Sequence, residues 1–301
     1  MELDSILSQN PALGQGCFGK VYKRRYHGKT SAIKVVPASK IDKDQLDREC
    51  RAYCQLNHKN IVKLLGQPET HGEKWYFPLE YISGSTLEDV MFKRGALTDK
   101  AKVTIIHGMC NGLNYLHMKN IVHQDLKPDN IMIEASTNRA VLIDFGLAKF
   151  ISYTASVEGI SSGSNFGNTA YYAPEVLLRA MRSRRSDVWA MGKIMAELIL
   201  RRRLSAEITP NEVKRMLSGT KFAEPISKML HRDKNQRVHM SDVIKSILGA
   251  TSISSSTIIL PGLCLVGSAL LGMGAVAVGA LPVASVALAI SIASAVVIHV
   301  S

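Results

Sequence analysis

Charged side chains are missing from the end of the sequence, since no Asp, Glu, Lys or Arg follows Lys245. Residues 257–300 are mainly Ile, Leu, Val, Ala and Gly. A helix needs about 20 apolar residues to cross a bilayer, so this run is long enough for two crossings. A core helix is the weaker alternative, because the run has no polar face. The sequence therefore predicts a membrane segment that contacts lipid, either one transmembrane helix or a helical hairpin broken near Pro282.

Paired cysteines and a secretory signal are missing as well. The five cysteines show no metal-binding or disulfide spacing. The first ten residues, MELDSILSQN, are acidic and too poor in apolar residues for a signal peptide. We therefore expect the part before the tail to face the cytosol, joined to its membrane anchor by a Ser-rich linker over 249–256.

Acidic residues are the minority, with 25 of them against 37 basic residues and a formal net charge of +12. Basic side chains cluster at Arg182, Arg184 and Arg185 and again over 201–203. Such clusters can bind nucleic acid, but no interleaved aromatic residues or nucleic-acid motif accompany them. We interpret them as a solvated face or one drawn to anionic lipid, and expect no nucleic-acid partner.

A glycine-rich stretch opens the chain's recognisable chemistry. Residues 13–23, LGQGCFGKVYK, place Gly14, Gly16 and Gly19 in a G-x-G-x-x-G frame followed by Val21. The same spacing opens dinucleotide-binding helices, but there the glycines lead into a helix. Here KVYKRRY and SAIKVV have the composition of strands. The sequence predicts a strand-turn-strand hairpin whose backbone amides can close over phosphates.

Lys34 lies among apolar residues on the second of these strands, where burying an unpaired ammonium would be costly. A helical pattern downstream carries acids at 44, 47 and 49, and any of the three could meet it. The next strand, WYFPLEY, contains Pro78, which favours an edge or irregular position because proline cannot donate to a sheet.

Two acid-bearing loops follow. In HQDLKPDN, residues 123–130, Asp125 could accept a proton from a hydroxyl, and Lys127 could neutralise a transferring phosphoryl group. Asn130 offers an oxygen to a hard cation such as Mg²⁺, and Asp144, in VLIDFGLAKF, offers a second. This order of loops, after a glycine hairpin and a strand lysine, indicates phosphoryl transfer.

Together these motifs resemble those of a eukaryotic-type protein kinase. The resemblance covers roughly residues 8–248 and includes APE at 173–175, SDVWAMG at 186–192 and Arg237. It implies an α+β, bilobal protein-kinase fold within a domain over 1–248. A small β-rich N-lobe would occupy about 8–81 and a larger helical C-lobe about 82–248.

The resemblance also implies ligands and roles. The cofactors would be ATP and Mg²⁺, and the partners protein substrates, whereas no oligomeric state is implied. The catalytic residues would be Lys34, Asp125 and Lys127, and the Mg²⁺ ligands Asn130 and Asp144. Nucleotide contacts would come from the glycine hairpin, the lysine with its acidic partner and the hinge over 79–82, namely Gly14, Gly16, Gly19, Val21, Lys34, Glu49, Glu80 and Ile82.

Further expectations concern architecture and specificity. Glu175 and Arg237 would form a structural ion pair, while Asp187 would brace the catalytic loop. Lys127 is typical of kinases that phosphorylate serine and threonine rather than tyrosine.

The chain departs from the family pattern at two positions. Gln124 replaces an arginine that, in relatives, pairs with a phosphorylated activation loop, so we expect little dependence on that phosphorylation. Asn168 stands where threonine is usual, and its amide can make similar hydrogen bonds. We predict a membrane-anchored serine/threonine kinase. The alternative is a pseudokinase-like scaffold or binding module at a membrane.

Overall fold

The computed structural model describes residues 11–15, 19–40, 50, 53–54, 56–144, 149–150, 169–178 and 180–252. The predictions for Gly16, Glu49, Asn168 and the membrane segment over 257–300 lie outside these residues. Among the residues that are described, the helices are all too short or too polar to cross a membrane.

The N-terminal part contains a five-stranded antiparallel sheet. Its strands are β1 (Gly14–Gln15), β2 (Lys20–Tyr26), β3 (Lys29–Pro37), β4 (Glu69–His71) and β5 (Lys74–Glu80), and they lie in the order β1-β2-β3-β5-β4. The chain reverses between β2 and β3 at His27 and Gly28, whose φ angles are 46° and 76°. A two-residue turn with positive φ matches the twist of the flanking strands, which explains this tight hairpin.

The glycine-rich stretch begins as a hairpin, as the sequence predicts, and not as a helix. Gly14 lies opposite Val21, and Gln15 lies opposite Lys20. Gly19 is required by packing, because a Cβ atom there would lie 1.9 Å from the carbonyl oxygen of Val35 on β3. The backbone can therefore approach the sheet closely at this point.

Pro78 lies at an irregular position, the second of the two alternatives that the sequence favours, and not on an edge strand, because β5 lies between β3 and β4. Proline is tolerated because β4 pairs only with residues 74–76 and has ended before Pro78 is reached. Beyond β4, the neighbour of β5 is an irregular segment in which the amide of Leu65 donates to the Pro78 carbonyl at 2.8 Å. No amide from proline is needed in that arrangement.

The rest of the domain is mainly helical, which confirms the α+β, bilobal organisation. The helices are α1 (Leu87–Phe92), α2 (Asp99–Met118), α3 (Pro174–Leu177), α4 (Arg184–Leu200), α5 (Pro210–Met216), α6 (Ala223–Met229) and α7 (Met240–Ser252). Short strands join them, namely β6 (Gly84–Thr86), β7 (Ile121–Val122), β8 (Ile131–Glu134), β9 (Ala140–Leu142) and β10 (Lys149–Phe150). Because α7 continues to Ser252, the helix extends about one turn into the predicted linker.

Helix α4 lies in the core of the helical part. Trp189, Met191 and Ile194 on it are almost completely buried. Every residue from Ser186 to Leu198 is buried, so the helix has no solvent-facing side over this length and packs inside the domain. Its start is fixed by a capping box between Ser183 and Ser186. The first turn of α4 is thus a rigid base for the loop that contacts it.

Candidate active site

The segment between β7 and β8 gathers three of the predicted site residues. The Oδ2 atom of Asp125 accepts hydrogen bonds from Lys127 Nζ at 3.0 Å and from Asn130 Nδ2 at 2.9 Å. The same amide nitrogen donates to the Asp125 carbonyl at 2.8 Å. Because this nitrogen is committed to Asp125, the amide oxygen of Asn130 is the end suited to a cation.

Lys34 and Asp144 meet although they are far apart in the chain. Lys34 Nζ donates to Asp144 Oδ1 at 3.0 Å, and the lysine side chain is 7% exposed. The sequence suggested an acid at 44, 47 or 49 as the partner of Lys34, and those positions lie outside the described residues. The contact with Asp144 was missed because nothing local to either residue indicates it.

The two candidate cation ligands are held in register by backbone hydrogen bonds. The amide of Ile143 donates to the Asn130 carbonyl at 2.9 Å, directly before Asp144. Asp144 has a φ of 63°, a left-handed conformation that is uncommon outside glycine but that aspartate adopts more readily than most residues. The oxygen donors of Asn130 and Asp144 are therefore presented by adjacent pieces of backbone.

Three of the residues predicted to contact nucleotide, Gly14, Val21 and Lys34, lie on neighbouring strands of the N-terminal sheet. Val21 on β2 is opposite Lys34 on β3, and Lys34 is opposite Phe77 on β5. Gly14 faces Val21 across the first hairpin. The register thus places the glycine hairpin beside the buried lysine. Glu80, the last residue of β5, lies within the predicted hinge over 79–82.

The hinge is fixed by an arginine that the sequence did not single out. Arg139, just before β9, donates from Nη2 to Glu80 at 2.8 Å and to Glu134 at 3.2 Å. Its Nη1 donates to the carbonyl of Lys59 at 2.9 Å. Burial disfavours the charge on Arg139, but the hydrogen bonds to the two carboxylates outweigh it and raise its pKa. One guanidinium therefore ties the hinge to two other segments.

Asp187 braces the catalytic loop from the first turn of α4, in the place that the resemblance implies. It is 2% exposed and accepts hydrogen bonds from the amides of His123 at 2.9 Å and Gln124 at 3.0 Å. The ring of His117 on α2 adds a third contact at 3.1 Å, which the sequence did not reveal. The backbone directly before Asp125 is thus anchored to two core helices.

The predicted architectural ion pair is present. Arg237, whose side chain is fully buried, donates to both carboxylate oxygens of Glu175, at 2.8 and 3.0 Å. It also donates to the carbonyls of Arg185 and His231, and its guanidinium lies 5.2 Å from the centre of the Trp189 ring. A bidentate pair of this kind is both strong and geometrically specific.

The segment before α3 is anchored to α4 by polar contacts. Tyr171 Oη donates to Glu197 at 2.7 Å, and Lys193 Nζ donates to the carbonyl of Ala170 at 2.6 Å. Burial and the adjacent Glu197 carboxylate raise the pKa of the Tyr171 hydroxyl, whereas burial lowers the pKa of Lys193. Arg203 also contacts both Tyr171 and Glu197. These contacts hold the segment that follows the activation loop.

The interpretation of the basic clusters as a solvated face is wrong for several of their members. Arg182 donates to the carbonyl of Gln124, and Arg184 contacts the side chain of Asn120. Arg201 donates to backbone carbonyls at the end of α1 and just beyond it. Because these guanidinium groups satisfy backbone and side-chain acceptors, part of the positive charge serves the fold.

A cation at this site would need oxygen atoms from a bound substrate in addition to those of the protein. Within the described residues, no group of three or more His, Cys, Asp and Glu side chains could hold a metal ion. Asn130 and Asp144 instead provide a small set of oxygen donors. This suits Mg²⁺, which binds through one or two protein groups together with substrate phosphates.

Comparison with known proteins gives a family match. The model of the protein kinase domain matches residues 7–253. A probable serine/threonine-protein kinase of Dictyostelium discoideum is 35% identical over 195 residues, which is 62% of this chain and 38% of that protein. Myosin light chain kinase A of the same organism is 32% identical over 205 residues, 64% of this chain and 66% of that protein.

A plant protein is similarly related. The probable L-type lectin-domain containing receptor kinase S.5 of Arabidopsis thaliana is 35% identical over 195 residues, which is 62% of this chain and 29% of that protein. The chain thus spans less than two thirds of the length of each of these relatives. The region matched by the family model contains the site described above.

Proposed function

The chain belongs to the protein kinase family, and we propose that it transfers the γ-phosphoryl group of ATP to serine or threonine hydroxyls of protein substrates. The observation that carries the proposal is the joint placement of four residues. Asp125 is hydrogen-bonded to Asn130, and Asp144 is hydrogen-bonded to Lys34. Phosphoryl transfer requires a carboxylate for the hydroxyl, a cation for the phosphates and oxygen ligands for Mg²⁺, and these four side chains provide them. A backbone hydrogen bond from the Ile143 amide to the Asn130 carbonyl links the two pairs.

Asp125 has the central role in this proposal. Its Oδ2 atom is held by Lys127 and Asn130, so its orientation is set before substrate arrives. The other carboxylate oxygen would accept a hydrogen bond from the substrate hydroxyl and then its proton. Lys127, 3.0 Å from the same carboxylate, is placed to stabilise negative charge on the phosphoryl group as it transfers.

Lys34 and the candidate metal ligands would position the nucleotide. The buried ammonium of Lys34 would bind the α- and β-phosphates, and the hinge at Glu80 and Ile82 would bind adenine through backbone groups. The oxygen donors of Asn130 and Asp144 fit Mg²⁺. When bound, this ion supplies positive charge next to the phosphate oxygens.

Specificity for serine and threonine is supported by Lys127 and by the relatives. One of the proteins above is named as a probable serine/threonine-protein kinase. Phosphoamino-acid analysis of a labelled substrate tests this part. Phosphoserine and phosphothreonine are expected, and predominant phosphotyrosine would contradict it.

Independence from activation-loop phosphorylation is a further part of the proposal. Gln124 is neutral and cannot make the charge-assisted contact that an arginine makes with phosphate. Phosphatase treatment of an active preparation should therefore leave most of the activity. Loss of activity together with loss of phosphate between residues 147 and 172 would refute this point.

We also propose attachment to a membrane, with the kinase domain facing the cytosol, and the attachment rests on residues 257–300 alone. The run lacks charged residues and is long enough for a helix or helical hairpin. After carbonate extraction, the full-length chain should stay in the membrane pellet. Release into the supernatant would show that the run is not integrated.

The activity itself is tested with full-length protein, Mg²⁺, γ-labelled ATP and a generic basic protein as acceptor. Asp125→Asn should lower the transfer rate by about 10²–10⁴-fold, the usual contribution of a positioned acid-base group. Asp129→Asn is the matched control, because Asp129 lies in the same loop and is exposed. Equal labelling of the acceptor by wild type, Asp125→Asn and Asp129→Asn would favour a binding module over an enzyme.

A further inference from the structure

The backbone N–H and C=O of Gln124 are both held by residues at the start of α4. Its amide donates to Asp187 Oδ1 at 3.0 Å, and its carbonyl accepts from Arg182 Nη1 at 2.9 Å. Arg182 directly precedes Ser183, the N-cap of α4, and Asp187 lies in the first turn of that helix. One rigid element thus provides both the acceptor and the donor.

The backbone of Gln124 needs such support because of its conformation. Gln124 has a φ of 71°, in the left-handed region that side chains other than glycine adopt at a cost. Residues held in this way persist only when their surroundings fix them. The next residue in the chain is Asp125, so a rotation at Gln124 would move the carboxylate that is to accept the substrate proton.

The guanidinium of Arg182 is itself well positioned. It lies 4.4 Å from the centre of the Tyr172 ring, a distance typical of a cation-π contact. Gln124, Tyr172 and Arg182 line one small cavity with Asp187. Because Tyr172 directly precedes Ala173 and Pro174 of the APE motif, Arg182 connects the catalytic loop to the segment after the activation loop.

We infer that Arg182 is a positioning residue for Asp125, acting through the carbonyl of Gln124. It provides a cation next to the catalytic loop, beside Gln124, whose own side chain is neutral. This inference rests on the proposed function. It also explains how the enzyme could be active without a phosphorylated activation loop. The contact that holds the catalytic loop is made to the Gln124 carbonyl and needs no phosphate.

The variant that tests the inference is Arg182→Met in the full-length chain. Methionine keeps much of the apolar stem but removes the donor and the charge. We expect kcat to fall by about tenfold to hundredfold, the range for losing one hydrogen bond from a charged group. The KM for ATP and the affinity for nucleotide should change less than about twofold, because Lys34 and the hinge are untouched. Arg182→Lys keeps a cationic donor and should restore part of kcat.

Arg184→Met is the matched control. It removes the same charge two residues away, from a guanidinium that contacts Asn120 instead of the catalytic loop. Equal kcat values for Arg182→Met and Arg184→Met would overturn the inference, as would a parallel loss of nucleotide affinity in Arg182→Met. If Arg182→Met does not fold, Arg182→Gln is measured by the same criteria. A wild-type protein that transfers no phosphate would instead refute the proposed function.

Discussion

The buried ion pair between Glu175 and Arg237 allows a quantitative prediction about stability. The side chain of Arg237 is fully buried and that of Glu175 is 13% exposed. Replacing Arg237 with methionine leaves the carboxylate without its bidentate partner and the carbonyls of Arg185 and His231 without their donor. Removing one member of a buried pair costs about 3–5 kcal/mol, because the other charge remains buried. The free energy of unfolding of Arg237→Met should fall by that amount.

The corresponding change in melting temperature follows from the size of the domain. For domains of about 150–250 residues, 1 kcal/mol shifts Tm by about 2–4 °C, so a decrease of about 6–20 °C is expected. Denaturant unfolding followed by circular dichroism, together with calorimetry, measures both quantities. Lys228→Met is the control, because Lys228 pairs with Glu224 at a site where both side chains are at least half exposed. That variant should have the same free energy of unfolding and the same Tm as the wild type.

A double variant tests the reasoning itself. Removing both charges, with Glu175→Met and Arg237→Met in one chain, leaves no buried unpaired ion. This protein should therefore be more stable than Arg237→Met alone. The account would be refuted if Arg237→Met lost less than about 1 kcal/mol, or if the double variant lost the sum of the two single losses.

Two further predictions concern the hinge and pH. Glu80→Gln weakens the contact between Arg139 and the hinge and should raise the KM for ATP about fivefold, the effect of about 1 kcal/mol. Glu134→Gln is the control, because it removes a carboxylate from the same guanidinium outside the hinge and should change the KM little. Equal changes in KM for the two variants would contradict this prediction. Burial, with a contribution from nearby Lys221, lowers the pKa of His107 below its usual 6.5, so its neutral form is favoured in the folded state. Its contribution to stability is complete above pH 6.5 and is lost as pH falls below it. Urea midpoints from pH 7.5 to 5.5 should therefore decrease less for His107→Gln than for wild type, and parallel curves would exclude the effect.

Most of the chemical residues could be predicted because they are close together in the sequence. Asp125, Lys127 and Asn130 lie within six positions, so a single loop must bring them together. The strand-like composition of KVYKRRY and SAIKVV also predicted β2 and β3. Pro78 could be predicted only as lying at an edge or an irregular position, and the structure shows the second, because β4 is so short that it ends before Pro78 is reached.

The contacts that depend on tertiary structure could not be predicted. Lys34 and Asp144 are separated by 110 positions. The sequence pointed to three nearer acids, of which the resemblance selected Glu49, and these lie outside the described residues. Arg139 had no distinguishing local pattern, and Arg182 was noted only as a member of a basic cluster, because an arginine that donates to carbonyls has the same sequence context as one in solvent. Only the packing of the helices and sheets shows which acceptors a guanidinium meets.

The rate of phosphoryl transfer by Asp144→Asn tests the central claim most directly, which is that the residues on the two loops form one working site for MgATP. Single-turnover transfer is measured at saturating ATP over a range of Mg²⁺ concentrations, with Asp129→Asn as the matched control. The wild type and Asp129→Asn should transfer phosphate at the same Mg²⁺-dependent rate, and Asp144→Asn should be slower by about 10²-fold or more. Equal rates for wild type and Asp144→Asn at every Mg²⁺ concentration would contradict the account.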